Sequence, residues 1–360
     1  MKKIEQYFSD LKLAFWASNS ELEKAGLNQK ISNEFINWRK NFSFSGTLQE
    51  LDKEKIKFLT WHDINYPKLL LEIPAPPFIL YYRGKLNNQK NKRLAVVGSR
   101  LHSAYAEKII NELLPEVIKN EIEIISGLAK GVDALAHCAA LNNCGITLAV
   151  LGSGLSAKNI YPPCNKILAE NIIKNGGAII SEFPPNTPPL KQNFPQRNRI
   201  ISGLASATLI IEAQAKSGAL ITANYSLEQN REVLVVPGNI FSTYSDGPNN
   251  LIKLGAKVIT NSEDILEVFN IEPRTDPKLA KHSGQKRFFT PNFIPENDNE
   301  KIIYQILKSA TERAEAISTD EIIKTTKKVS QLDTATINST LSMLEIRGVA
   351  KNEGIGYSLN

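Results

Sequence analysis

Short apolar runs alternate with longer amphipathic stretches between residues 92 and 270, and this alternation restricts the fold more than any other feature. The apolar runs are rich in β-branched residues and lie at 94–97, 122–125, 147–151, 178–180, 208–211, 233–236 and 257–259. The stretches between them have helical periodicity and lie at 103–119, 131–142, 165–175, 218–230 and 262–269. Because a continuous apolar run is typical of a strand buried on both faces, the pattern predicts an α/β fold with a mostly parallel sheet.

The sequence on either side of this region has a different pattern of apolar, polar and proline residues. Residues 1–75 carry short apolar groups separated by helix-stop signals, which predicts a small helical domain that ends at Pro74, Pro76 and Pro77. The α/β domain is then assigned to residues 76–270. The polar, proline-rich residues 271–297 are predicted to form a linker.

Residues 298–360 are predicted to form three helices followed by a β-hairpin, which is the pattern of a winged-helix domain. The third of these helices, at 334–344, contains no lysine or arginine, and the first basic side chain after it is Arg347. Strong contact with phosphates needs cations. We therefore expect a protein-docking or structural role for this domain, while a DNA-binding role stays open.

Charge and cysteine content give weaker information. The net charge of +6 and the pI near 9.0 favour a polyanionic partner, although many basic proteins bind no nucleic acid. Cys138, Cys144 and Cys164 have no metal-ligand spacing, and we expect them to be reduced, buried thiols. The N-terminus lacks the apolar region of a signal peptide, and no uncharged apolar stretch is long enough to span a bilayer. A cytoplasmic protein with no membrane partner is expected.

The loops that follow the strands are the expected place for functional residues, because ligands of open parallel sheets bind beyond the carboxyl ends of the strands. The candidates after the first two strands are Gly98, Ser99, Arg100, Ser126, Gly127 and Lys130. In both loops a turn of small residues enters a helix, whose free N–H groups can receive a phosphate. A plain strand-to-helix turn with a solvated cation is the alternative interpretation.

Two further loops have the same character. Their candidate residues are Gly152, Gly154, Lys158, Lys216, Ser217 and Gly218. The first of these loops matches the dinucleotide fingerprint Gly-x-Gly-x-x-Gly/Ala, but Pro162 and Pro163 delay the helix that the fingerprint needs. No nucleotide cofactor is therefore expected.

The stretch Phe-Pro-Gln-Arg-Asn-Arg-Ile-Ile-Ser-Gly at 194–203 follows a proline-rich excursion. We expect the excursion to be extended, which places Arg197 and Arg199 in the first turn of a helix. Cations are unfavourable there by up to about 1 kcal/mol, so a functional reason for both is expected. With Asn198 between them, the two guanidiniums are suited to consecutive phosphates.

Alternatives stay open for the polar side chains near these loops. Either arginine could form an intramolecular salt bridge, to Glu182 or Glu212, instead of binding phosphate. His137 lies one helical turn after Asp133 and could hydrogen-bond its carboxylate. Because no serine or cysteine nucleophile is evidently paired with His137, it is interpreted as a structural residue.

Six motifs in order along the chain resemble those of the DNA-processing protein A family, also called Smf. They are Val-Val-Gly-Ser-Arg at 96–100, Ser-Gly-Leu-Ala-Lys-Gly-Val-Asp at 126–133, the stretch at 194–203, Ile-Glu-Ala at 211–213, Ser-Gly-Ala-Leu-Ile-Thr-Ala at 217–223 and Val-Pro-Gly at 236–238. The resemblance covers the whole central domain, about half of the chain.

The resemblance implies a Rossmann-like central domain, a small N-terminal domain of the SAM or helix-hairpin-helix type and a C-terminal winged-helix-like domain. It also implies a non-catalytic role: members bind and protect single-stranded DNA, load the RecA recombinase onto it during natural transformation, and form homodimers through the Rossmann-like domain. By motif match, Arg100 and the segment from Arg197 to Arg199 would contact DNA. Lys158 would lie in a loop that supplies further basic contacts.

An enzyme of the same superfamily is the competing hypothesis. Phosphoribohydrolases that resemble lysine decarboxylases carry Pro-Gly-Gly-x-Gly-Thr-x-x-Glu, in which the glycine turn holds a phosphate and the glutamate acts on the ribose. The corresponding stretch here, at 212–222, has no such Gly-Gly pair and no glutamate at that spacing. We therefore expect no catalytic residues.

Overall fold

The structure, a computed structural model, describes residues 2–86, 92–272, 295, 297–311, 317–330, 332–347, 349–352 and 356–359. Within these ranges no helix is both long enough and apolar enough to cross a membrane. The same residues contain no group of three or more His, Cys, Asp or Glu side chains arranged to hold a metal ion. Cys138 is buried, as expected, whereas Cys144 is exposed.

A nine-stranded sheet organises the central part of the chain. Its strands are β1 (Lys57–Thr60), β2 (Ile79–Gly84), β3 (Arg93–Val97), β4 (Glu123–Ser126), β5 (Thr147–Val150), β6 (Ala178–Ser181), β7 (Ala207–Ile210), β8 (Glu232–Val235) and β9 (Lys257–Val258). They lie in the order β1-β2-β6-β5-β4-β3-β7-β8-β9. All neighbours from β6 to β9 are parallel, while β1 and β2 add an antiparallel edge. The prediction of an α/β fold with a mostly parallel sheet is confirmed.

Helices flank this sheet and form most of the two ends of the chain. They are α1 (Lys2–Tyr7), α2 (Leu11–Trp16), α3 (Asn19–Lys24), α4 (Gln29–Lys40), α5 (Phe44–Lys53), α6 (Lys68–Leu71), α7 (Ala104–Lys119), α8 (Val132–Asn142), α9 (Lys166–Lys174), α10 (Asn193–Gly203), α11 (Gly218–Glu228), α12 (Asp246–Lys253), α13 (Ser262–Val268), α14 (Asp298–Thr311), α15 (Thr319–Val329) and α16 (Thr334–Ile346). Helices α7, α8, α9, α11 and α13 match the five helical stretches predicted in the central domain to within two residues, whereas α10 begins earlier than expected.

Strand β3 explains why the predicted strands are continuous apolar runs. Successive side chains of a strand point to opposite faces: Leu94 and Val96 pack with α7 and α8, whereas Ala95 and Val97 pack with α10 on the other face. All four side chains are buried. Full burial of a leucine or valine contributes about 1.5–3 kcal/mol, so both faces of the sheet stabilise the domain.

The boundary predicted at residue 75 is wrong, because the sheet begins at Lys57. Strand β1 pairs with β2, and β2 pairs with β6. Tyr66 and Leu70, beside and within α6, are buried in the same core as β3 and α10. Only one of the four side chains from Ile79 to Tyr82 is fully buried, and none in β1. Such half-exposed edge strands give a weak apolar pattern, which is why they were not predicted.

The connections that follow β3 and β7 leave the sheet towards opposite faces. Strand β3 leads to α7 on one face, and β7 leads to α11 on the other. The two strands are hydrogen-bonded neighbours. A crevice is expected between two loops that diverge in this way, beyond the carboxyl ends of the strands.

The C-terminal residues form three helices, α14 to α16, and a hairpin of β10 (Ala350–Asn352) and β11 (Tyr357–Leu359). Their shared core includes Ile303, Ile337 and Leu341. At the start of α15, Ser318 Oγ accepts from the N–H of Glu321 at 3.3 Å and so caps the helix. The winged-helix assignment stays a prediction. Most of the predicted linker at 271–297 lies outside the described residues.

Candidate functional site

A cavity of about 730 Å³ lies beyond the carboxyl ends of β3 and β7, where the two connections diverge. We call it the switch-point cavity. It is lined by Val97, Gly98, Ser99, Arg100, Leu101, Ala129, Asp133, Tyr161, Pro189, Lys191, Phe194, Pro195, Arg197, Asn198, Ile201, Gln214, Ser217, Gly218, Ala219, Ile221 and Thr222. Its size is within the range of small-molecule sites.

The loop after β3 is held so that Arg100 faces solvent. Ser99 Oγ donates to the carbonyl of Leu101 at 2.7 Å, which fixes the turn around Arg100. At the end of the loop, Ser103 donates through its N–H and its hydroxyl to the buried carboxylate of Glu212. Since its neighbours are fixed and its own side chain is exposed, Arg100 is a cation available to a ligand.

A second contact presses this loop against the loop after β4. The N–H of Val132 donates to the carbonyl of Ser99 at 3.1 Å. Gly131 has a φ of +77°, and a Cβ there would lie 2.2 Å from the same carbonyl. Both the backbone conformation and the close approach therefore require glycine at this position.

Helix α10 begins at Asn193, so the prediction that Arg197 and Arg199 lie in its first turn is wrong. Pro195 is the third residue of the helix, a position within the first turn that proline tolerates because the N–H groups there have no helical partner. Arg197 lies in the second turn instead. The helix-dipole penalty that was expected for a cation in the first turn therefore does not apply to Arg197.

Arg197 is buried, with 4% of its surface exposed. Its Nη1 donates to the carbonyl of Gly127 at 2.7 Å and to the carbonyl of Val150. The guanidinium therefore joins the loops after β4 and β5 to α10. It lies at the wall of the cavity but is committed to protein carbonyls, which corrects the expectation that Arg197 binds phosphate directly.

Asp133 faces the same glycine from the other side. Its Oδ2 accepts from the N–H of Gly127 at 3.0 Å and from the N–H of Ala129 at 3.3 Å. The pKa of Arg197 is lowered to about 10, mainly because the side chain is buried and also because the charge of Arg100 is near. The attraction of Asp133 opposes this shift. Burial also raises the pKa of Asp133, opposed mainly by Arg197. The opposite charges of Arg197 and Asp133 thus compensate each other, whereas the charge of Arg100 beside them is not compensated by this pair.

Arg199 forms an ion pair with Glu182, one of the two salt bridges left open by the sequence. The side chains are 13% and 11% exposed. Burial raises the pKa of Glu182, and Arg199 opposes this shift. The other glutamate, Glu212, is held by Ser103. Arg199 therefore ties α10 to the end of β6 and does not line the cavity.

Two aromatic rings line the cavity, tilted by 56° to each other. The guanidinium carbons of Arg100 and Arg197 lie 5.8 and 6.0 Å from the ring centroid of Phe194, within the range of cation–π contacts. The ring of Tyr161 is 5.6 Å from that of Phe194 and is 44% exposed. The cavity therefore combines a free guanidinium with aromatic faces.

The glycine-rich loop after β5 is filled by the protein itself. A Cβ on Gly154 would lie 2.1 Å from the carbonyl oxygen of Pro185, and one on Gly152 would lie 2.9 Å from the ring of Phe194. The N–H of Gly154 already donates to the carbonyl of Thr187 at 2.8 Å. These glycines serve close packing rather than ligand contact, which corrects the expectation for Gly152 and Gly154.

The N-terminus of α11 opens onto the cavity. Ser217 caps it by accepting from the N–H of Ala219 at 3.3 Å. A Cβ on Gly218 would meet no atom within 4 Å, and Asn198 Nδ2 donates to the Gly218 carbonyl at 3.2 Å. An open glycine at a helix N-terminus leaves room for an anion to approach the backbone N–H groups.

The cavity thus brings together part of the predicted set. The predicted residues that line it are Gly98, Ser99, Arg100, Arg197, Asn198, Ser217 and Gly218. The predicted residues outside its lining are Ser126, Gly127, Lys130, Gly152, Gly154, Lys158, Arg199 and Lys216. Among the latter, Lys130, Lys158 and Lys216 are exposed cations, whereas Ser126 is buried and donates to the carbonyl of Val96 at 2.7 Å.

Lys191 was missed as a candidate and lines the cavity with an exposed side chain. It lies in the proline-rich excursion, which has no regular secondary structure between β6 and α10. The signal available in the sequence was its position three residues before Phe194. That signal becomes informative only when α10 is known to begin at Asn193.

His137 hydrogen-bonds Thr147 and not Asp133, the partner that the sequence left open. Its Nδ1 lies 2.7 Å from the hydroxyl of Thr147, and this hydroxyl lies 2.8 Å from the carbonyl of Ile124, to which it donates. The hydroxyl must then accept from Nδ1–H, so the neutral ring carries its proton on Nδ1. Full burial lowers the pKa of His137 to about 3. This agrees with the structural role predicted for His137.

The fold and the cavity define a Rossmann-like α/β protein with a candidate ligand site at the switch point between β3 and β7. A sequence profile of the family described as DNA recombination-mediator protein A matches residues 57–270. Protein Smf of Synechocystis sp. is 34% identical over 99% of this chain and 94% of its own length. The chain therefore belongs to this family.

Two solved structures agree with the assignment. The X-ray structure of DNA processing protein A from Streptococcus pneumoniae aligns with a TM-score of 0.61 at 37% identity, covering 69% of this chain and 85% of the other. A structure of DNA processing protein A from Helicobacter pylori, described in terms of its single-stranded DNA binding mode, aligns with a TM-score of 0.52 at 29% identity. It covers 59% of this chain and 96% of the other.

Proposed function

We propose that this protein binds single-stranded DNA, with a stretch of the strand seated in the switch-point cavity. The observation that carries the proposal is the combination of an exposed Arg100, an exposed Lys191 and the open N-terminus of α11 around the rings of Phe194 and Tyr161. Cations and helix N–H groups suit phosphates, and aromatic faces suit unpaired bases. The Helicobacter pylori relative, which is described as binding single-stranded DNA, supports the same assignment.

The shape of the cavity favours a single strand over a duplex. A volume of about 730 Å³ accommodates a nucleotide but not a double helix. Bases in a duplex are stacked and paired, so they cannot reach Tyr161 or Phe194 without being extruded. A single strand presents its bases to the rings with no such cost.

A purely binding role is part of the proposal. Asp133 is the single carboxylate among the described residues that line the cavity, and it already accepts two backbone N–H bonds. Glu212, beside the cavity, is held by Ser103. No carboxylate there is free to act on a ribose. Release of free base from a nucleoside monophosphate would contradict this and favour the phosphoribohydrolase hypothesis.

Salt-dependent binding tests the proposal directly. Contacts that are mainly to phosphates release counterions, so the affinity for a labelled single strand should fall steeply as salt rises. Fluorescence anisotropy with matched single-stranded and duplex oligonucleotides measures both affinities. The proposal predicts a steep salt dependence and a preference for the single strand. A flat salt response, or tighter binding of the duplex, would contradict it.

The proposal extends to partners and location by resemblance to the family. The protein protects the bound strand and loads RecA recombinase onto it during DNA uptake, acting in the cytoplasm as a homodimer formed through the Rossmann-like domain. A pull-down of RecA with and without single-stranded DNA tests the partnership. Sedimentation analysis tests the dimer. Recovery of no RecA under either condition, or a purely monomeric chain, would contradict the respective part.

A further inference from the structure

Four exposed apolar side chains lie on two segments that a hydrogen bond joins near the switch-point cavity. Leu101 and Tyr105, at and after the loop that follows β3, are 73% and 44% exposed, and Ile240 and Phe241, in the loop after β8, are 78% and 90% exposed. We call these four residues the apolar rim. Scattered exposed apolar residues are normal, but grouped ones mark interaction sites.

The loop that carries Ile240 and Phe241 is held in place by its own hydrogen bonds. Asn239 Oδ1 accepts from the N–H of Phe241 at 2.9 Å. Asn249 Nδ2 donates to the carbonyl of Gly238 at 3.1 Å, while Asn249 Oδ1 accepts from the N–H of the same glycine at 3.3 Å. The two apolar side chains are therefore presented to solvent from a defined backbone.

One shared lining residue and one hydrogen bond connect the rim to the cavity. Leu101 is itself part of the cavity lining. The hydroxyl of Tyr105 donates to the carbonyl of Pro237 at 2.8 Å, which joins α7 to the loop after β8. The chain of contacts thus runs from Leu101 at the cavity, through Tyr105 in the following helix, to the loop that carries Phe241.

The charge of the rim suits a polyanion. Residues 237–245 contain no aspartate or glutamate, and the first carboxylate after them is the exposed Asp246 at the start of α12. The cations Arg100 and Lys191 stand in the cavity on which the rim borders. Phosphates held there would fix the backbone of the strand, and the bases that follow would face apolar and aromatic side chains.

We propose that the apolar rim is a base platform: nucleotides that emerge from the cavity stack on Phe241 and Tyr105 and pack against Leu101 and Ile240. The inference rests on the proposed function, since it assigns the path of the same strand beyond the cavity. Base stacking on an aromatic side chain is largely independent of sequence. The rim therefore adds affinity without adding base preference.

The test compares full-length wild-type protein with Phe241→Ala on labelled oligothymidylates of about 15 and about 4 nucleotides, lengths within the usual range of single-strand sites. Phe241→Ala should bind the long strand roughly tenfold more weakly and the short strand as the wild type does. Phe241→Trp should restore the affinity for the long strand. Ile64→Ala, at an apolar residue that is 95% exposed between β1 and α6, is the matched control and should change neither affinity.

A long strand without bases separates stacking from backbone contact. On this abasic strand the difference between Phe241→Ala and wild type should disappear. The inference is overturned if Phe241→Ala binds the long strand normally, or if it weakens the abasic strand equally. It is also overturned if Phe241→Ala changes the sedimentation mass, because the rim would then join two copies of the chain. Wild-type protein that binds neither strand would instead overturn the proposed function.

Discussion

Arg197 and Asp133 hold Gly127 between them. Arg197 Nη1 donates to the Gly127 carbonyl at 2.7 Å, and Asp133 Oδ2 accepts from the Gly127 N–H at 3.0 Å. A Cβ on Gly127 would lie 2.7 Å from both side chains. The two charges therefore fix the turn after β4, against which the loop of Arg100 is packed. Their role is to position the wall of the cavity.

Replacement of Arg197 should destabilise the protein rather than weaken a DNA contact alone. Arg197→Met leaves the buried Asp133 without its compensating charge and two buried carbonyls without a donor. Removal of one partner of a buried charge pair costs about 3–5 kcal/mol. Urea denaturation should show a loss of this order in the free energy of unfolding.

The double variant Arg197→Met/Asp133→Asn provides the control for this prediction. If the two charges compensate each other, its loss in free energy of unfolding should be smaller than the sum of the two single losses by about 1 kcal/mol or more. Additive losses would contradict the pairing. A folded, fully stable Arg197→Met with weak DNA binding would show that Arg197 contacts the strand itself.

Replacement by alanine should lower stability at one of two glycines near the site and leave it nearly unchanged at the other. A Cβ on Gly154 would lie 2.1 and 2.2 Å from the carbonyl oxygens of Pro185 and Pro184, so the backbone must shift. Gly218→Ala enters open space. Overpacking costs about 1–3 kcal/mol, whereas alanine at an unstrained glycine is within about 1 kcal/mol of neutral.

Thermal unfolding of both variants measures this difference. Gly154→Ala should have a clearly lowered midpoint and Gly218→Ala a nearly unchanged one. Gly218→Ala should also bind single strands less tightly, since its methyl group occupies the space in front of the α11 N-terminus. An equal loss of stability in the two variants would contradict the packing described for the loop after β5.

His137 should make stability depend on pH. Its pKa is lowered to about 3 in the fold by burial, while the unfolded chain titrates near its ordinary value of about 6.5. Between these values the unfolded state binds more protons, so the free energy of unfolding falls as pH falls. From neutral pH to about pH 4.5 the loss due to His137 is about 2–3 kcal/mol.

His137→Gln removes this titration and isolates it from the other ionisable groups. Urea unfolding of both proteins at a series of pH values should show a shallower decline for the variant below about pH 6.5. Parallel declines would show that His137 is not held neutral in the fold.

Sequence reasoning identified the sheet because both faces of β3 to β8 are covered, which forces continuous apolar runs. It identified Arg100 because the residue stands directly after a strand at the switch point, where fold geometry places ligands. It could not foresee that Arg197 is buried. The carbonyls that hold Arg197 belong to Gly127 and Val150, 70 and 47 residues away, and backbone acceptors leave no trace in side-chain identity.

The start of α10 shows a different limit. Asn193-Phe-Pro contains a proline, and a run of prolines upstream led to an extended chain being expected through this point. Proline is compatible with the first turn of a helix, so the same residues equally allow a helix start. At the start of the helix Phe194 packs against Gly152 and Tyr161, contacts that are distant in the chain and that local sequence does not encode.

The proposed function requires that the switch-point cavity, through Arg100, holds the phosphates of a single strand. Anisotropy across a salt series should compare wild type with Arg100→Ala and with Lys158→Ala, a matched variant at an exposed cation outside the cavity lining. Arg100→Ala should bind about tenfold more weakly, with a salt slope reduced by about one. Lys158→Ala should stay within about twofold of wild type. Wild-type affinity in Arg100→Ala, or a larger loss in Lys158→Ala, would contradict the claim.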